Sequence, residues 1–134
     1  MRIIQTRLLF WAHGMTVSPA LILIRPEYAS DRPLIAHETV HTAQMTKHGT
    51  WRFWWHYITD SKFRLEMELE AYRVQLAMAP QSLERVATAL SSRYFLNITN
   101  AQAVSLLRRN CMNRCAELLD SLDPHPSGCH CRTD

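Results

Sequence analysis

The sequence predicts a small α+β domain, with short N-terminal strands followed by a mostly helical body. Three observations predict it. The run ALILIR (residues 20–25) is rich in β-favouring residues and is stopped by Pro26. Beyond residue 30 the apolar residues recur at helical rather than alternating spacing. With 134 residues, 47% apolar and 20% charged, the chain suits one globular core. Residues 1–122 are assigned to this domain and residues 123–134 to a tail containing Cys and His.

In chain order, RIIQTR can form a short strand and ALILIR a stronger one. PEYASDRP is a loop in which Ser30 or Asp31 caps a helix, with Pro33 in its first turn. That helix runs to about Lys47, and Gly49 is its C-terminal stop. A second helix covers roughly residues 50–59, where Trp51, Trp54, Trp55 and Ile58 fall at i, i+3, i+4 and i+7. These tryptophans are expected to pack a small core, in preference to lining a subsite or docking surface. A third helix spans about Lys62 to Met78 and ends before Pro80. SLERVATALSSRY and TNAQAVSLLRRNCMNRCAELLDSL read as two more, and DPHPSGCHCRTD has no periodicity.

Several function classes are disfavoured. The net charge is only +3 and the Lys and Arg are scattered, so there is no nucleic-acid footprint. No apolar run approaches the roughly 20 residues of a membrane span. The start, MRIIQTRLLFWAHGM, lacks the apolar core and cleavage site of a secretory signal, so a cytoplasmic location is expected. All four cysteines, Cys111, Cys115, Cys129 and Cys131, come late and cannot staple the domain. Free thiols are the leading expectation for them, with a second, structural zinc site and disulfides as alternatives.

The chemistry concentrates in LIAHETVHTAQM, residues 34–45. On a helix His37 and His41 lie one turn apart on one face and can present both imidazoles to a single ion. Glu38 sits at the edge of that face, within reach of a water rather than the metal. A plain polar stripe is the bland alternative. However, Leu34, Ile35, Ala36, Val40 and Ala43 surround the histidines, and burying unpaired imidazoles is costly. A metal site is therefore expected, and zinc needs a third protein ligand. Upstream there are only His13, Glu27 and Asp31; downstream, FRLEMELEAYRVQ offers Glu66, Glu68 and Glu70. Alternate helical residues point about 200° apart, so Glu68 cannot share a face with the other two. Gln44 is expected to hydrogen-bond across the core or to a substrate strand.

HETVHTAQ, followed 27 residues after His41 by ELEAYR, resembles the gluzincin branch of zincin metallopeptidases. The nearest likeness is to the minigluzincins and related small bacterial and phage-encoded peptidases, over roughly residues 18–75. The resemblance implies a zincin-like domain whose third zinc ligand is a glutamate on a following helix, in an E-x-x-small-D/N setting. Matching Ala71 to the small position selects Glu68, with Glu70 or Glu66 taking the role if the register slips. It also implies that ALILIR is the edge strand along which an extended substrate lies. Where many gluzincins carry an aspartate that hydrogen-bonds a ligand, this chain has Tyr72.

The implied function is zinc-dependent peptide-bond hydrolysis, with Glu38 as catalytic base and His37, His41 and Glu68 as metal ligands. Zinc would lower the pKa of water towards about 7. Glu38 would take that proton and pass it to the leaving amine. Tyr57, Tyr72, His48 and His56 are equal candidates for the oxyanion stabiliser. The partner would be a peptide or protein substrate. The rival reading is a non-catalytic zinc-binding module docked in a larger assembly such as a phage particle, and hence incorporated into a virion. A site closed by a fourth ligand, from His48, His56 or a tail cysteine, is a third.

Overall fold

A computed structural model describes residues 1–109. Three short strands come first: β1 (Arg2–Gln5), β2 (Gly14–Ser18) and β3 (Leu21–Ile24). A single 3-10 turn, Pro26–Tyr28, leads into α1 (Arg32–His48), α2 (Thr50–Thr59) and α3 (Ser61–Met78). A second such turn, Pro80–Ser82, precedes α4 (Leu83–Arg93). A further helix, α5, occupies residues 100–109 as far as the chain is described. The α+β class and the order of the helices agree with the sequence reading. The domain boundary at residue 122 and the four cysteines lie outside the described residues.

The punctuation residues act largely as expected. Asp31 caps α1 by accepting the Leu34 N–H at 3.0 Å, and Pro33 occupies the first turn. Gly49, at φ +80°, ends α1 in a conformation that side chains with a Cβ resist. Asp60 breaks the chain again and caps α3, accepting from Lys62 N and Phe63 N at 2.9 and 3.2 Å. Single-residue breaks thus fold α1, α2 and α3 back on one another.

The sheet corrects one expectation. Its order is β1-β3-β2, with β3 parallel to β1 and antiparallel to β2. ALILIR therefore forms the central strand, with both sides already hydrogen-bonded, and cannot receive a substrate strand. The edges are β1 and β2. Ile22 and Ile24 are fully buried while their neighbours are only half-buried, as a strand with one covered face requires. The strand β2 was not anticipated. Its register slips between Thr16 and Ser18, an irregularity that leaves the Val17 carbonyl to accept from Trp54 Nε1 at 3.2 Å.

Two cores flank α3. Leu69 and Tyr72 pack with Val86, Ala87 and Leu90 of α4 and Leu107 of α5, while Met67 packs with Met45 of α1 and Phe53 of α2. Glu68 lies between them.

The tryptophan expectation holds for Trp54, which packs against the Met45, Phe53 and Met67 core, and fails for the other two. Trp51 is 84% and Trp55 60% exposed, whereas Phe53 is 1% exposed. The rotation of α2 is set by Phe53 and Tyr57, which pack towards α1 and α3; that turns the Trp51, Trp55 and Ile58 stripe outward. Among the described residues no helix is long and apolar enough to cross a membrane.

Candidate metal centre

His37, Glu38 and His41 lie on α1, Glu68 on α3, and all four are buried. Packing of α1 on α3 brings the two histidines against Glu68, which is 1% exposed. The His37 and His41 Nε2 atoms are 3.2 Å apart. Glu68 Oε1 is 3.5 Å from His41 Nε2, and Oε2 is 3.6 Å from His37 Nε2. These three residues form the one candidate metal-ligand group among the described residues. Glu66 and Glu70 are exposed and stand outside it, as do His13, Glu27, Asp31, His48 and His56.

One ligand atom from each of the three residues lies within 4.8 Å of the other two, and the Nε2 pair is 3.2 Å apart, near the roughly 3.3–3.4 Å that ligand bonds of about 2.0–2.1 Å require around a tetrahedral ion. The donor chemistry fits as well, since two imidazoles and a carboxylate suit zinc. Glu68 Oε2 and His37 Nδ1 are buried without a hydrogen-bond partner. Buried in this way beside two imidazoles, an ionised Glu68 would be costly without a cation. Burial pushes the Glu68 carboxyl above its usual range, opposed by His41 and by the Tyr57 and Tyr94 hydroxyls. Burial likewise holds His37 well below the usual imidazole value, with His41 adding to the effect, so His37 is neutral, as a ligand must be.

The surrounding side chains fix these groups. Tyr57 Oη donates to Glu68 Oε1 at 2.5 Å. Tyr72 does not take the place of the expected aspartate. Its ring meets His37 edge-on at 4.4 Å between centroids, and its hydroxyl pairs with the Tyr94 hydroxyl at 2.8 Å. Arg64 donates to the backbone carbonyls of both Tyr94 and Tyr57, at 2.8 and 2.5 Å, and so holds the two segments that carry phenols to Glu68. The Tyr57 hydroxyl is thus engaged with Glu68 and the Tyr72 hydroxyl with Tyr94. The rings of His48 and His56 lie against Phe63.

Glu38 turns towards the sheet. Thr16 Oγ1 lies 2.8 Å from Glu38 Oε2 and 2.8 Å from the Glu38 backbone oxygen. On the other side Gly14 gives way to the carboxylate: a Cβ there would fall 2.9 Å from Glu38 Oε1. Burial raises the Glu38 pKa, with His41 and Thr16 favouring the anion and Glu68 opposing it.

Sequence reasoning brought His37, His41, Glu38 and Glu68 to notice and expected Gln44 to bridge the core, as it does to α3. It missed Gly14, Thr16, Arg64 and Tyr94. A glycine and a threonine in a half-polar stretch carry no signal of their own. Only the β-branched pair Thr16-Val17 hinted at a strand. No protein-family model matches the chain, and no curated protein or solved structure matches it either.

Proposed function

We propose that the protein is a zinc-dependent hydrolase of peptide bonds, built on a zincin-like domain, with His37, His41 and Glu68 holding the ion and Glu38 as the base. The observation that carries this reading is the buried cluster of two imidazole nitrogens and a carboxylate, with one ligand atom from each within 4.8 Å of the others and Glu38 one residue from a ligand. Zinc supplies Lewis acidity, which activates water and polarises a carbonyl. Glu38 takes the proton of the attacking water and returns it to the leaving amine. Its upward pKa shift suits the task, because a base titrating nearer neutrality exchanges protons in both directions more readily. Thr16 orients the carboxylate through its hydroxyl. The edge of β2, beside Glu38, replaces β3 as the place where an extended peptide would add.

One observation favours the rival, a zinc-binding docking module without activity: the ligands and Glu38 are all buried, so substrate reaches them only if a covering group moves. Glu38→Gln separates the two readings. An enzyme keeps one zinc per chain, measured by elemental mass spectrometry, and loses hydrolysis of a peptide library by about 10²–10⁴-fold. Peptide cleavage that persists in Glu38→Gln rules out the proposed base. Absence of cleavage by zinc-loaded wild type across the library supports the docking module.

A further inference from the structure

The two histidines are not held alike, and the difference lies in a chain of hydrogen bonds beyond the triad. His41 Nδ1 is 2.8 Å from Gln44 Oε1. The same amide presents Nε2 to Met67 O at 3.1 Å and to Glu70 Oε2 at 2.7 Å. Both of those partners are acceptors, so the amide nitrogen must face them. Turning the amide over would set its oxygen against a carbonyl and a carboxylate. The flip ambiguity that attends most glutamine side chains is therefore absent here. With the oxygen facing His41, the imidazole must carry its proton on Nδ1. In the neutral ring that metal ligation requires, this leaves the Nε2 lone pair directed at His37 and Glu68.

His37 is held less firmly. Its Nδ1 and Gln75 Oε1 face one another without meeting hydrogen-bond geometry, and its ring meets Tyr72 edge-on. His41 is thus the histidine fixed by a well-formed hydrogen bond, and Gln44 supplies it.

The geometry points to Gln44 and Glu70 as positioning residues: a Glu70–Gln44–His41 relay that fixes the His41 tautomer and ties α1 to the turn of α3 carrying Glu68. Met67 and Glu70 flank Glu68, so one side chain sets both the direction of a histidine donor and the distance to the carboxylate. Glu70, although exposed, is not a spare ligand: its Oε2 fixes which way the amide points. The inference rests on the metal-site reading above. It assigns no catalytic role to either residue, since both act through His41 rather than on substrate or water.

Gln44→Met keeps the length of the side chain and removes both halves of the relay. Zinc affinity, measured by competition with a chromogenic chelator, is expected to fall about 10–100-fold, the usual effect of removing a partner that orients a ligand. Glu70→Gln should give a smaller loss in the same direction. Gln44→Glu alone sets a carboxylate against Glu70, whereas Gln44→Glu with Glu70→Gln restores a donor–acceptor pair and should recover part of the affinity. A purely structural role would not produce that reciprocal rescue.

Long-range ¹H–¹⁵N spectra of the metal-free wild type supply a readout independent of variant folding. His41 should appear as the Nδ1–H tautomer, and the Nε2–H form would overturn the inference. So would zinc affinity within about threefold of wild type in Gln44→Met, a small fraction of the loss expected for an orienting partner. Wild type that binds no zinc refutes the metal-site reading and this inference with it. Wild type that binds zinc alongside an unaffected Gln44→Met refutes this inference alone.

Discussion

Gly14→Ala tests whether β2 holds Glu38 in place. The added methyl would lie 2.9 Å from Glu38 Oε1, 3.1 Å from Cγ and 3.2 Å from Cδ. Carbon atoms rest comfortably at about 3.5–4.0 Å, so the clash is several tenths of an ångström against three atoms together. Glu38 cannot simply swing aside, because Thr16 grips its other oxygen at 2.8 Å. Either that hydrogen bond breaks or β2 lifts from α1. Overpacking of this kind costs about 1–3 kcal/mol, and losing the Thr16 bond adds about 1 kcal/mol. For a chain of this size about 2–4 kcal/mol lowers Tm by roughly 6–16 °C, read by circular dichroism. Zinc content should persist, since Gly14 touches no ligand, while any Glu38-dependent hydrolysis falls at least about tenfold with the base displaced. The control is Gly49→Ala. Its Cβ meets nothing, but φ is +80°, so it should cost about 1–2 kcal/mol of backbone strain with no effect on hydrolysis. If Gly14→Ala melts within about 2 °C of wild type, a shift too small for overpacking of 1–3 kcal/mol, Glu38 is not packed against the strand.

Three further outcomes follow from the same contacts. Trp51→Ser with Trp55→Ser should change stability by no more than about 0.5 kcal/mol per site in urea unfolding, whereas Phe53→Ala costs about 3–5 kcal/mol. Comparable losses from both would mean that α2 is rotated the other way. Tyr57→Phe strips a buried carboxylate oxygen of its donor and should destabilise the metal-free protein by about 1–3 kcal/mol; an unchanged melting curve would remove Tyr57 from the site. The pH dependence should differ with and without zinc. The folded pKa values of Glu38 and Glu68 are raised, so their contribution to stability is full below the unfolded value of 4.5 and is lost as pH rises through the folded values. His37, with a depressed folded pKa, contributes above its unfolded value of 6.5, and that contribution is lost as pH falls through the folded value. Zinc competes with the proton that the raised Glu68 carboxyl retains, so the melting-temperature gap between zinc-loaded and chelator-treated protein should widen as pH rises from 4.5 towards the raised folded value. A gap that narrows would contradict proton displacement.

The helical part of the fold was legible because its boundaries are marked chemically. Asp31 with Pro33, Gly49 and Pro80 each act within a few residues of themselves, so their meaning survives without tertiary information. The face of α2 was not legible. Five aromatics in WRFWWHY satisfy more than one helical stripe, and which stripe turns inward depends on the gap that Met45 and Met67 leave for Phe53. The third helix is obscure for a related reason. Met67, Glu68, Leu69, Ala71 and Tyr72 are all buried, because α3 is covered on more than one side, and its periodicity is correspondingly blurred.

The site divides along the same line. The two histidines and Glu38 announce themselves because their spacing is local to one helix. Glu68 stood among three glutamates, and burial between two cores singles it out in a way spacing could not. The supporting groups sit furthest from view. Thr16 acts on Glu38 across 22 residues, Gln44 on Glu70 across 26 and Arg64 on Tyr94 across 30. Each is a common polar residue whose role exists only once the chain has closed. Gly14 is the extreme case, because it contributes the absence of a side chain. The carboxylate of Glu38 occupies the space a Cβ would need, so the glycine and the glutamate specify each other, and neither constraint can be seen from one position alone.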